Sequence, residues 1–90
     1  MKFGEQQFLD ELTEYIKGTY KQHYVCKEDL QTVEVWDSLG SAETTLRDSA
    51  IKYMVRYGKK AGFNKIDLFK CIHNIILLGH FIEKNKKVIT

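Results

Sequence analysis

Apolar side chains recur along this chain at helical spacing, not in the alternation of a strand. Phe8, Leu12, Tyr15 and Ile16, followed by Thr19, are separated by acidic and amide residues. That pattern predicts an amphipathic helix from about residue 4 to about residue 18, weakened at Gly18. The β-branched and aromatic segment TYKQHYVCK (19–27) has no clear period and reads as a connecting loop. Leu30, Val33, Trp36 and Leu39 predict a short second helix that stops at Gly40. Ser41 is placed to cap a third helix, with Glu43 in its first turn. Ala42, Leu46, Ala50, Tyr53, Met54 and Tyr57 form its apolar stripe, and Gly58 ends it.

The loop GKKAGFN (58–64) follows, and Asn64 can cap a fourth helix with Asp67 in its N-terminal turn. Leu68, Ile72, Ile75 and Ile76 make one face of that helix. Phe69, Cys71, Leu77, Leu78 and Phe81 spread over the rest. A helix apolar over most of its circumference needs partners on several sides, which points to a homo-oligomer assembled through it. The expected fold is all-α: one domain over residues 1–90, about four helices arranged around an αα-hairpin. Within it, residues 1–22 form the N-terminal amphipathic part and residues 83–90 a basic tail.

Charge changes the picture. The net charge is only +2, but residues 1–46 carry 4 Lys and 9 Asp/Glu, whereas residues 47–90 carry 10 Lys/Arg and 3 Asp/Glu. Such asymmetry suggests an anion site in the second half, or complementary packing between halves or subunits. On the third helix Asp48, Lys52, Arg56 and Lys59 follow one another as a polar ridge. Asp48 and Lys52 read as an i,i+4 pair, while Arg56, Lys59 and Lys60 have no acidic neighbour at that spacing. One explanation is the helix dipole, which favours cations at a C-terminus by about 0.3–1 kcal/mol each. The other is a phosphate nest, with Gly58 and Gly62 exposing backbone N–H groups beside three cations and the start of the fourth helix adding positive potential. The glycine loop is not a Walker loop, because G-K-K-A-G follows a helix and lacks the required spacing.

The basic stretch also carries a resemblance. His23 and Tyr24, then Lys52, Tyr53, Arg56, Gly58, Lys59 and Lys60, then Asp67, Leu68 and Lys70 resemble a family of small phage proteins described as nucleotide kinase-like. The similarity spans about residues 23–82, and its core is Lys-Tyr-x-x-Arg-x-Gly-Lys-Lys. Asp48-Ser49 stands where the family has Gly-Asn, and His73-Asn74 where it has an aromatic pair. The resemblance implies a phage origin, a cytoplasmic site of action in the infected bacterial host, and a nucleotide ligand. One larger relative is associated with nucleoside monophosphate phosphorylation. A chain this short, without machinery for a second nucleotide, fits a sponge that sequesters a nucleotide signal of bacterial immunity.

Other constellations have plainer alternatives. His23-x-x-Cys26 with Cys71-x-His73 offers four zinc ligands at loose spacing, against buried or inert thiols. Cys26 with His23 could form a nucleophile pair, but nothing nearby orients the base. Two cysteines and no apolar leader in MKFGEQQF are what a reduced, cytosolic chain would show. Tyr53 and Tyr57 either extend the core or stack on a base, and Phe63 is the better stacking candidate. Trp36 reads as core, and His80 as a satisfied interface residue rather than a polar contact within an oligomer.

The leading expectation is therefore a nucleotide-binding protein without turnover, needing no cofactor or metal. Its ligand site would consist of Lys52, Tyr53, Arg56, Gly58, Lys59, Lys60 and Phe63. The enzymatic alternative, a nucleotide kinase or kinase subunit, would use ATP and Mg with Asp48 or Asp67. The third is a basic face that binds nucleic acid or a host protein. No run is apolar enough to span a membrane, the longest being IILL (75–78).

Overall fold

A computed structural model describes residues 2–25, 28–59 and 62–85, with side chains described outside 21–31. These residues form four helices: α1 (Glu5–Val25), α2 (Glu28–Ser38), α3 (Ala42–Arg56) and α4 (Lys65–Lys84). No strand occurs among the described residues, and the all-α expectation holds. The chain gathers into two compact units, Met1–Gln31 and Thr32–Thr90, with the boundary inside α2.

In the first unit, α1 is longer than its apolar pattern implies. Residues 19–25, expected as loop, continue the helix. No proline interrupts them, and one glycine costs a helix interior only about 1 kcal/mol. The Thr19 hydroxyl donates to the Ile16 carbonyl at 2.7 Å, so this β-branched residue is accommodated inside the helix. Amide–carboxylate contacts one turn apart, Gln6 Nε2 to Asp10 (2.9 Å) and Gln7 Nε2 to Glu11 (3.3 Å), line the exposed surface.

In the second unit, Ala42, Leu46 and Phe81 form a buried centre, with Val33, Trp36, Leu77 and Leu78 packed against it. Leu46 is 1% exposed, and burying a leucine this fully stabilises by about 1.5–3 kcal/mol. Ala42, Leu46 and Ala50 follow the expected stripe of α3. Met54 does not belong to it: it is 54% exposed, as exposed as Ile51 and Val55. On α4 the face expected from Leu68, Ile72, Ile75 and Ile76 is covered only in part, with Leu68 and Ile72 half-buried. Ile75 and Ile76 are about half exposed, whereas Phe81, Leu77 and Leu78 contact α3 and α2. Cys71 is buried in the middle of α4, and burial pushes its thiol pKa up.

The turn between α2 and α3 is a Schellman motif. Ser41 N–H donates to the Trp36 carbonyl at 2.8 Å and Gly40 N–H to the Asp37 carbonyl at 3.0 Å. Gly40 takes φ +77°, where a side chain would be strained. Ser41 precedes α3 as expected, but its hydroxyl does not cap that helix: it donates back to the Trp36 carbonyl at 3.2 Å. Asp37 also clasps the far end of α4, accepting from Lys84 Nζ at 2.6 Å and Asn85 Nδ2 at 3.1 Å. These two hydrogen bonds hold its carboxyl pKa below the usual value.

Candidate anion site at the α3–α4 bend

Antiparallel packing brings together residues that stand equally far from the bend. Lys52 and Lys70 are each nine residues from position 61, and both ammonium groups meet the Tyr53 ring. Lys52 Nζ is 4.6 Å and Lys70 Nζ 5.3 Å from its centroid. The two cations therefore lie within about 10 Å of each other. A cation on an exposed aromatic face is worth about 0.5–1 kcal/mol. Asp48 is not the partner of Lys52 as expected; it pairs with Arg47 at 3.3 Å.

Arg56, one turn beyond Lys52, is not uncompensated either. Its Nε lies 3.7 Å from Asp67 Oδ1, an ion pair that joins the end of α3 to the start of α4. Asp67 is 4% exposed, so it is more than a favourable charge in a first helical turn. The distance is long, and Arg56 Nε is buried without a hydrogen-bond partner. The Arg56 side chain as a whole stays 38% exposed. The carboxylate thus sits behind the guanidinium and leaves the side chain open to solvent. A planar guanidinium fork suits bidentate binding of an oxyanion.

The bend itself is closed by its own backbone. Gly58 N–H donates to the Gly62 carbonyl at 3.0 Å and Lys59 N–H to the Arg56 carbonyl at 2.9 Å. At the start of α4, Asn64 caps as expected: its Oδ1 accepts from Ile66 N–H at 2.9 Å, while Asp67 N–H donates to the Asn64 carbonyl at 3.0 Å. These donors are consumed, so the expected backbone nest is not available at Gly58, Lys59 or the capped turn.

Phe63 is 79% exposed and meets Tyr57 edge-on, with ring centroids 5.5 Å apart. It packs over Gly58 and holds the loop against the end of α3, on the Tyr57 side of the bend. Lys59 is exposed beside Arg56, and Lys60 lies outside the described residues. Of the expected site, Lys52, Tyr53, Arg56, Gly58, Lys59 and Phe63 are therefore placed in or next to one bend. Lys70 and Asp67 stand outside the expected ligand set, although the resemblance includes both and the enzymatic alternative uses Asp67. Their signal was the hairpin register, which sets positions before the loop opposite positions after it.

A shallow groove lies at the opposite end of the α3–α4 pair, lined by Glu43, Thr44, Arg47, Leu78 and Ile82. It contains none of the expected ligand residues. The zinc alternative falls partly outside the described residues, because Cys26 and the His23 side chain are not described. Among the described residues no three His, Cys, Asp or Glu side chains converge as metal ligands. No described helix is long and apolar enough to cross a membrane.

No curated protein and no solved structure matches the chain. A family model described as "Protein of unknown function (DUF3310)" matches residues 18–75, which include α3, the basic bend and the first half of α4. That match spans well over half of the sequence, and the chain belongs to the DUF3310 family.

Proposed function

We propose that the protein binds a phosphorylated nucleotide, or a signal derived from one, at the α3–α4 bend and holds it without turnover. The observation that carries this reading is the meeting of Lys52 and Lys70 on Tyr53, one turn from a guanidinium seated by a buried carboxylate. Lys52, Lys70, Arg56 and Lys59 neutralise phosphate. The Tyr53 ring supplies a surface between the cations for ribose or base. Phe63 stands at the same turn, and Lys60 follows Lys59 in the sequence. In a phage-infected cell such binding would withdraw a nucleotide signal from the host.

Assembly belongs to the same reading. Ile75 and Ile76 are 51% and 48% exposed, which supports contact between copies through α4. The kinase alternative would need carboxylates free to hold magnesium. Asp48 is engaged by Arg47, and Asp67 is buried behind Arg56, so neither favours it.

The test is incubation with a panel of nucleotides and cyclic nucleotides, followed by gel filtration and heat release. Recovery of intact ligand supports binding without turnover. Recovery of altered ligand supports an enzyme, and no retention overturns both. A basic face for nucleic acid instead predicts DNA retention with steep salt dependence.

A further inference from the structure

Resting on that reading, we infer that the bend selects ligands with at least two adjacent phosphoryl groups, and that Lys70 is the residue that sets this preference. Three observations carry it. Two lysines from different helices approach one ring, where their mutual repulsion is only partly offset by the aromatic face. Arg56 lies one turn from Lys52 on the same helix, about 5–6 Å along the surface. Lys52, Arg56, Lys59 and Lys70, less the carboxylate of Asp67, leave a local balance of +3. A single phosphate monoester brings about −1.5 to −2 at neutral pH, too little to match it.

A diphosphate closes that gap. One phosphoryl group lies between Lys52 and Lys70 over the Tyr53 edge, and the next reaches the Arg56 fork and Lys59. Lys70 is the only one of the four contributed by α4. A site built on α3 alone would grip one phosphate and trail the second into water.

The experiment compares a nucleoside monophosphate with its diphosphate, and orthophosphate with pyrophosphate, by titration calorimetry. The diphosphate member of each pair is expected to bind at least tenfold more tightly. Lys70→Gln should reduce that ratio to near one while changing monophosphate affinity by less than about threefold, and Lys70→Arg should restore most of it. Circular dichroism of each variant establishes that it is folded. Equal affinity for mono- and diphosphate, or a Lys70→Gln loss that is the same for both, overturns the inference and leaves nucleotide binding standing. Pyrophosphate preference without nucleotide binding supports the inference and ends the nucleotide reading. Failure of every probe to bind ends both.

Discussion

The ring of Phe63 occupies the place where a side chain at Gly58 would project. A Cβ there would lie 2.7 Å from Phe63 Cε1, and Gly58 takes φ +83°. Gly58→Ala therefore meets two costs. The left-handed backbone costs about 1–2 kcal/mol for a non-glycine residue, and displacing Phe63 from Tyr57 forfeits about 0.5–1.5 kcal/mol of ring packing. Gly62 has φ +73° but open space around it, so Gly62→Ala should show only the first cost. In urea titrations Gly58→Ala is expected to be the more damaging, and adding Phe63→Ala should narrow the difference. Equal losses at the two glycines would show that Phe63 gives way freely.

Arg56 and Asp67 should behave as a coupled pair. Arg56→Ala leaves a buried carboxylate without its ion-pair partner and should cost about 1–2 kcal/mol, reduced by the partial exposure of the arginine. That is a fall in Tm of about 4–16 °C for a domain of this size. Asp67→Asn should cost less, and the double variant less than the two separate losses together. A double-mutant cycle in urea reads the coupling; strict additivity would mean the 3.7 Å contact contributes nothing.

Acid should loosen the junction of α2 with the end of α4. Asp37 is held below its ordinary pKa first by the hydrogen bond from Lys84 and then by that from Asn85. A carboxyl depressed in the folded state contributes stability above its unfolded pKa, near 3.8, and loses it as pH falls through the lower folded value. Asp37→Asn should therefore destabilise the protein at pH 7 and flatten the part of the stability–pH curve below about pH 4. Thermal melts of both proteins from pH 2 to pH 7 test this; parallel curves would exclude the junction as a source of acid sensitivity.

Leu46 sits at the centre of the second unit with 1% exposure. Leu46→Ala should cost about 2–5 kcal/mol. In a chain of 90 residues that is a large share of the total stability, and a broadened or absent thermal transition is expected. A variant that melts within a few degrees of the parent would show that the core refills the space.

The sequence carried those parts of the structure that depend on near neighbours. The Ala42–Leu46–Ala50 stripe, the Asn64 cap and the glycine turn after α3 each follow from residues within one or two turns. Residues 19–25 read locally as loop because weak helix formers follow a glycine, whereas α1 propagates through them. Arg56 looked unpaired because its partner is eleven positions away and across a bend. Lys70 carries part of the resemblance, but only the register of α3 against α4 sets it beside Tyr53. What local spacing cannot supply is the pairing between helices, and most of the candidate site is made of that pairing.

Cys71 offers a clock for motions that no ligand assay registers. Its sulfur is sealed within α4 and disfavoured as thiolate, so an alkylating reagent must wait for the helix to separate from its neighbours. In a Cys26→Ser background, the rate of labelling would report how often that separation happens. A ligand clamped across α3 and α4 would slow the clock in proportion to its occupancy.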